Sequence, residues 1–282
     1  MRTSNLIPQS ELLKPICVTC STQFDGPEHP KSCHICDDPR QYVPPSGQSW
    51  TTLKESISSD KFKNIIVPTP GADGQIYTIA TQPKLGIGQR AHLIRTPQGN
   101  IVWDLVAYID DDTVNKINEL GGIQAIVISH PHFYSTFTTW SEAFGEIPVY
   151  LASEDESWIS RHDSAAYELI TRPIQEIIPE SGVTAIKVGG HFPGSMVLHW
   201  RNRIFTADSI MITPIPLPPD AIYNIIKTLA PFDFEIAHGA FSGQEFKRNA
   251  KRKLIQSADI VISIMNGIKP GEREKREFWK VT

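Results

Sequence analysis

Apolar segments of strand and helix type occur in two similar series along the chain, and this repetition restricts the possible folds more than any other sequence feature. The first series is predicted to contain strands at 76–80, 91–96, 101–103, 123–128 and 148–151, with helices at 111–120, 136–144 and around 154–160. The second is predicted to contain strands at 184–188, 195–200, 203–207 and 234–237, with helices at 221–229 and 244–265. Hairpins that alternate with strand–helix–strand units, given twice, are typical of a layered α/β sandwich.

The composition excludes several classes of protein. With 282 residues, of which 40% are hydrophobic, the chain is long enough to bury one substantial core. Its 27 basic and 31 acidic side chains give a net charge of −4, so nucleic acid is not expected as a partner. Its apolar runs are too short to cross a bilayer, and the N-terminal residues lack the apolar region of a secretory signal. We therefore expect a cytoplasmic protein without a membrane partner.

All four cysteines of the chain lie close together near its N-terminus. Cys17 and Cys20 form one C-x2-C pair, and Cys33 and Cys36 form a second pair after twelve intervening residues. This spacing is typical of a tetrahedral thiolate zinc site, although four free thiols in a loop would have the same sequence. Because four thiolates complete the coordination, the predicted zinc is structural and leaves no position for water.

The chain is expected to have three parts. Residues 1–48 form a zinc-ribbon-like segment and a linker, in which the prolines at 44 and 45 favour extended backbone. Residues 49–266 form the main α/β domain, and residues 267–282 are predicted to be a solvated tail.

Histidines and an aspartate follow successive predicted strands. His130 and His132 follow the strand at 123–128, His191 lies in a glycine-containing turn, Asp208 follows a hairpin, and His238 follows the strand at 234–237. Each of these residues taken alone has an ordinary structural explanation, such as a hydrogen-bonded histidine or a capping aspartate. Their shared placement at strand ends, where α/β proteins carry their sites, predicts a functional cluster.

These motifs resemble those of the metallo-β-lactamase fold superfamily. The resemblance rests on four features: H-x-H at 130–132, G-H-x-P-G-S at 190–195, an aspartate after a hairpin at 208, and a histidine before glycine at 238. The cysteine pairs and the segment 41–45 also resemble a fungal and bacterial branch of that superfamily. The resemblance, which covers about residues 15–265, implies a four-layer αββα sandwich with a metal site along one edge of its two sheets.

The chain departs from the superfamily motif H-x-H-x-D-H, because Tyr134 and Ser135 stand at its last two positions. The resemblance implies a first metal held by three histidines, with Asp208 as a fourth ligand or a remnant of the second site, and with His238 as a second-site histidine that lacks its other partners. The first-metal ligands are His130, His132 and His191. We therefore expect one zinc at the main site and one at the cysteines. Asp208 or Tyr134 is the candidate for orienting water or protonating a leaving group.

A second departure is the short connection between Asp208 and Pro216. The resembling branch has a longer, aromatic-rich insert at this place. We expect that its absence removes one wall of the active-site cleft.

Three functions are compatible with these features. The first is a hydrolase of an ester, thioester, lactone or lactam-type small molecule, in which a single zinc-bound hydroxide attacks the carbonyl. The second is a non-catalytic protein whose degenerate site binds a ligand or a partner. The third is a scaffold whose cysteine segment docks another macromolecule.

Overall fold

The structure is a computed structural model that describes residues 6–41, 43–162, 166–210 and 217–266. Six α-helices are assigned in these ranges: α1 (Gln9–Leu12), α2 (Leu53–Ser58), α3 (Asp111–Glu119), α4 (Phe137–Ala143), α5 (Pro219–Leu229) and α6 (Ala250–Met265). Two short 3-10 helices cover Pro131–Phe133 and Ser153–Trp158. No helix of the described ranges is long and apolar enough to cross a membrane.

A seven-stranded sheet forms the first half of the molecule. In spatial order its strands are β3 (Lys63–Pro68), β4 (Ile76–Gln82), β5 (Arg90–Ile94), β6 (Ile101–Trp103), β7 (Ala125–Val127), β8 (Val149–Ala152) and β9 (Tyr167–Ile170). The pairs from β3 to β6 are antiparallel, and those from β6 to β9 are parallel. Because parallel neighbours end at the same edge, the loops that follow β7 and β8 lie side by side.

A six-stranded sheet forms the second half. In spatial order its strands are β10 (Ile174–Glu176), β11 (Thr184–Lys187), β12 (Met196–Trp200), β13 (Arg203–Phe205), β14 (Ile236–His238) and β15 (Glu245–Phe246). Only the pair β13 and β14 is parallel among these neighbours. A further two-stranded ladder joins β1 (Ile16–Cys17) to β2 (Trp50–Thr51).

Alternating side chains divide the core into three apolar layers. Between the two sheets, Trp103 and Val127 from one side meet Leu198 and Phe205 from the other. The opposite face of the seven-stranded sheet is covered by apolar residues of α2, α3 and α4, and the opposite face of the six-stranded sheet by α5 and α6. This order of layers confirms the predicted four-layer αββα sandwich.

Two local predictions are wrong in detail. The predicted helix at 244–265 begins only at Ala250, because residues Glu245–Phe246 pair with β14 as the edge strand β15. The predicted helix around 154–160 is a 3-10 helix over Ser153–Trp158. The strands β3, β9 and β10, which the sequence analysis did not identify, lie at or beside sheet edges, where one face is exposed and the apolar pattern is weak.

The cysteine-containing segment packs tightly against the rest of the molecule. Glu11 and Arg161, both almost fully buried, form a bidentate ion pair, in which two guanidinium nitrogens donate to the two carboxylate oxygens at 2.8 and 2.9 Å. The backbone N–H of Gln23 donates to the carbonyl of Ser135 at 3.1 Å. These contacts bring the N-terminal segment next to the loop that carries the H-x-H pair.

Candidate metal centre

The loops at one edge of the two sheets bring four of the predicted metal ligands together. His130 and His132 follow β7, His191 lies between β11 and β12, and Asp208 follows β13. Each residue offers a ligand atom, and these atoms all lie within 4.8 Å of one another. The parallel pairing of β6 with β7 and the antiparallel pairing of β11, β12 and β13 place these strand ends at the common edge.

The distances within this group fit one tetrahedral ion. Nε2 of His191 lies 3.1 Å from Nδ1 of His132 and 3.6 Å from Oδ2 of Asp208. Nε2 of His130 lies 3.5 Å from the same carboxylate oxygen. Ligands at about 2.0–2.2 Å from a tetrahedral centre are separated by about 3.3–3.6 Å. The four side chains therefore have the spacing that a zinc-sized ion requires.

The protonation states of these groups suit cation binding. Burial, together with the neighbouring histidines, lowers the pKa of His132 to about 3 and that of His191 to about 4. Burial opposes ionisation of Asp208, but a hydrogen bond to His130 and the nearby imidazoles keep its pKa below the ordinary value. At neutral pH the imidazoles of His132 and His191 are thus neutral beside the ionised carboxylate of Asp208, which is donor chemistry that zinc accepts.

A network behind His130 fixes the orientation of its ring. The hydroxyl of Ser129 lies 2.8 Å from Nδ1 of His130, which leaves Nε2 directed towards the ligand group. The backbone N–H of Ser129 donates to Oδ1 of Asp104 at 2.8 Å. Burial raises the pKa of the fully buried Asp104 to about 7. Sequence reasoning missed Asp104, although its position directly after the predicted strand at 101–103 was a usable signal.

Two other residues near the centre were not predicted. The carboxylate of Asp38 lies 3.5 Å from Nε2 of His132, and the guanidinium of Arg40 donates to the backbone carbonyl of His191. Both come from the segment after the cysteine pairs. Their sequence positions carry no strand-end signal, so only the packing of this segment reveals them.

His238 lies apart from the four-ligand group. Its Nε2 is 3.1 Å from a guanidinium nitrogen of Arg203, and its Nδ1 is 3.6 Å from the carboxylate of Glu245. Its ring stacks on Phe205, with centroids 4.9 Å apart. Both ring nitrogens therefore face protein groups, and the predicted role of His238 as a metal ligand requires that these contacts be broken.

Tyr134 is placed in the apolar core. Its side chain is almost fully buried, its ring packs on Phe137, and its hydroxyl donates to the carbonyl of Asp155 at 3.3 Å. Burial raises its pKa well above the ordinary value. Within the described ranges no hydrogen bond or ring contact joins the side chain of Tyr134 to the four ligands. Asp208 is thus the one of the two predicted catalytic residues that the structure brings to the centre.

The predicted short connection between Asp208 and Pro216 lies largely outside the described residues, which stop at 210 and resume at 217. The predicted tail at 267–282 also lies outside them.

The four cysteines form a second group of potential metal ligands. Their sulfur atoms also lie within 4.8 Å of one another. The sulfurs of Cys17 and Cys36 are 3.6 Å apart, and those of Cys20 and Cys33 are 3.5 Å apart. Thiolates at about 2.3 Å from a tetrahedral ion are about 3.8 Å apart, whereas disulfide sulfurs are about 2.05 Å apart. The geometry therefore fits one ion held by four sulfurs.

The electrostatics of this cluster agree with its geometry. Hydrogen bonds from its neighbours lower the pKa of Cys17, and hydrogen bonding to Cys17 raises the pKa of Cys20 and of Cys33. Four buried sulfurs at this separation cannot all ionise unless a cation compensates their charge.

One relative in sequence covers almost the whole chain. "Uncharacterized protein YmaE" of Bacillus subtilis (strain 168) is 36% identical over 277 residues, which cover 89% of this chain and 96% of the relative. No protein-family model matches the chain.

Similar solved structures agree on the fold. The metallo-β-lactamase FIM-1 from Pseudomonas aeruginosa, in a mono-zinc form, superposes with a TM-score of 0.52 at 12% identity, covering 71% of this chain and 96% of that protein. The DIM-1 metallo-β-lactamase gives 0.54 at 11% identity, with coverage of 71% and 98%. A flavo di-iron protein variant from Thermotoga maritima gives 0.55 at 14% identity and covers 71% of this chain, which spans only 62% of that longer protein. Identities this low show a common fold alone.

Proposed function

Because the chain belongs to the family of YmaE and has the metallo-β-lactamase fold, we propose that it is a metal-dependent hydrolase. We further propose that its main site holds one zinc ion. The observation that carries the proposal is the convergence of three histidine ring nitrogens and one carboxylate oxygen, which all lie within 4.8 Å of one another. We propose a small molecule with an ester, thioester, lactone or lactam carbonyl as the substrate.

A zinc ion bound by three histidines would supply a Lewis acid, which lowers the pKa of water from 15.7 towards about 7. The residues of the chain supply the remaining requirements. The cation would be held by His132, by His191 and by His130, whose ring is fixed by Ser129. Catalysis requires that the fourth position of the ion be open to water, so in this proposal Asp208 acts beside the ion, where its ionised carboxylate is suited to orient water or to take up its proton.

A single ion, rather than two, agrees with the surroundings of His238. A second cation at that histidine would have to lie near the guanidinium of Arg203, 3.1 Å from Nε2, and would be repelled by it. Tyr134, which stands where the superfamily supplies an aspartate, is packed in the core. We therefore propose two zinc ions per chain, one at the cysteines and one at the main site.

A non-catalytic role is the second candidate, and the burial of the ligands favours it. The side chains of His130 and His132 are only 1% and 3% exposed, and that of Asp208 is 21% exposed. A ligand set enclosed to this degree offers a substrate limited access, whereas a structural or regulatory ion needs none.

The free, buried cysteines also agree with the proposed cytoplasmic location, because reducing compartments keep thiols available for metal.

Metal analysis combined with a hydrolysis panel tests the proposal. We expect two zinc ions per chain in the wild type and one in the double variant His130→Ala/His132→Ala, with turnover of at least one carbonyl substrate class lost in that variant. Full metal content without turnover of any ester, thioester, lactone or β-lactam would favour the non-catalytic candidate. An unchanged metal content in the double variant would refute the site itself.

A further inference from the structure

The segment that follows the cysteine pairs reaches the main metal centre. Asp38, two residues after Cys36, is buried, and its Oδ2 lies 3.5 Å from Nε2 of His132. The other ring nitrogen of His132, Nδ1, faces His191 within the ligand group at 3.1 Å. The imidazole of His132 thus lies between the ligand group and Asp38.

This arrangement matches how metal-binding histidines are usually oriented. A histidine that binds an ion through one nitrogen commonly donates its other N–H to a carboxylate, which fixes the ring and raises its basicity. Nε2 of His132 is buried and makes no hydrogen bond within ordinary limits, and the Asp38 carboxylate is the acceptor beside it. A small closure of the 3.5 Å separation would form that bond.

Arg40 holds Asp38 in this position. Its Nε donates to both carboxylate oxygens at 2.9 and 3.1 Å, and its backbone N–H donates to Oδ1 at 2.8 Å. The same guanidinium donates to the carbonyl of His191 and lies over the ring of Phe192, 4.1 Å from its centroid. Arg40 therefore connects Asp38 to the loop that carries His191.

The cysteine group anchors this connection. The backbone N–H groups of Cys36 and Asp37 both donate to the carbonyl of Cys33, at 2.9 and 3.0 Å. Asp38 follows that turn directly, so its place depends on the geometry of the cysteine pairs. An ion held by the four sulfurs would fix this turn and, with it, the place of Asp38.

From these contacts we infer that the four-cysteine segment completes the main metal centre, with Asp38 as a positioning residue for His132 and Arg40 as the link to the loop of His191. The cysteine site then acts beyond local stability, because its occupation determines whether the main site is fully formed. This inference rests on the proposed metal binding by His130, His132 and His191, with Asp208 beside them, and it does not require catalysis.

Cobalt(II) titration of the full-length protein tests this inference. Thiolate-to-cobalt charge-transfer absorption reports cobalt at the cysteine site. Ligand-field bands that appear without this charge-transfer absorption report cobalt at the imidazole site. We expect Asp38→Ala to weaken cobalt binding at the imidazole site by about 10–100-fold, as for other lost outer-shell partners, and to leave the cysteine site unchanged. Asp37→Ala is the matched control, because Asp37 is exposed and contacts Ser32 rather than the centre. It should bind cobalt as the wild type does.

Two isosteric or conservative variants separate positioning from general damage. Asp38→Asn keeps the shape of the side chain and should still weaken binding at the imidazole site, and Asp38→Glu should recover part of the affinity. Equal affinity at the imidazole site in the wild type, Asp38→Ala and Asp38→Asn would overturn the inference and leave the proposed function intact. A wild type without any imidazole-site cobalt would overturn both. If the wild type shows no hydrolytic activity but the Asp38 variants still bind cobalt more weakly at the imidazole site, the inference is supported and the proposed hydrolase function fails.

Discussion

Gly194 lies three residues after His191, and its substitution tests whether close packing of this loop sets the metal geometry. A Cβ at this position would lie 2.5 Å from Cβ of Ala152 and 2.8 Å from Oδ2 of Asp155. Ala152 is the last residue of β8 and has no rotamer with which to move away. Because carbon atoms pack at about 3.5–4.0 Å, the loop must shift by about 1 Å in Gly194→Ala.

That shift should affect stability and metal binding separately. Overpacking of this kind costs about 1–3 kcal/mol, which at about 2–4 °C per kcal/mol lowers the Tm of the metal-free protein by about 2–12 °C. The backbone N–H of Gly194 also donates to Oδ1 of Asp155 at 3.0 Å, a bond that the shift would lengthen. Metal sites tolerate about ±0.2 Å in ligand distance, so displacement of His191 should weaken main-site binding by about 10–100-fold.

The assays are thermal unfolding followed by circular dichroism and cobalt titration, with Gly182→Ala as the control. Gly182 has φ of +70° and no neighbouring atom within 4 Å of an added Cβ. Its substitution should cost about 1–2 kcal/mol through backbone strain alone and leave metal affinity unchanged. A Gly194→Ala protein with wild-type Tm and affinity, or a Gly182→Ala protein with equally weakened metal binding, would refute the reasoning.

Three further outcomes are expected. Cys33→Ser should remove the zinc ion at the cysteines, weaken metal binding at the imidazole site that depends on it, and expose the remaining cysteines to a thiol reagent; full reactivity of all four in the metal-replete wild type would contradict the cysteine site. Burial holds the pKa of His92 well below 6.5. Below about pH 6.5 the unfolded state therefore binds a proton at His92 that the folded state does not bind, and the free energy of unfolding falls as the pH falls. His92→Phe should therefore reduce the loss in free energy of unfolding between pH 7 and pH 5 by about 2 kcal/mol, measured by urea denaturation of metal-free protein, and an unchanged loss would argue against it. Arg161→Leu leaves the buried Glu11 without its ion pair and should destabilise the fold by about 3–5 kcal/mol; a change below about 1 kcal/mol would show that the pair is not buried in solution.

The sequence by itself determined the layered architecture and the central ligands. The layers follow from the apolar periodicity, because a strand covered on both faces, such as β7, must be apolar throughout. Strand ends predicted a cluster of histidines and an aspartate, since chain connectivity places these ends at a common edge, and the resemblance to the metallo-β-lactamase superfamily implied which of them are ligands. The cysteine spacing likewise specified a group of sulfurs that local turns bring together.

Only the tertiary structure decided which groups surround those ligands. Asp38 and Arg40 reach the centre because the N-terminal segment folds over the loop of His191, a contact across about 150 residues that no local pattern encodes. The pairing of His238 with Arg203 depends on the register between β13 and β14, and Tyr134 is buried because of its packing against Phe137. Side-chain type and strand position are local properties of the chain, and they could therefore be predicted from the sequence. The hydrogen-bond acceptor behind a metal ligand is fixed by packing between distant segments, and it therefore could not.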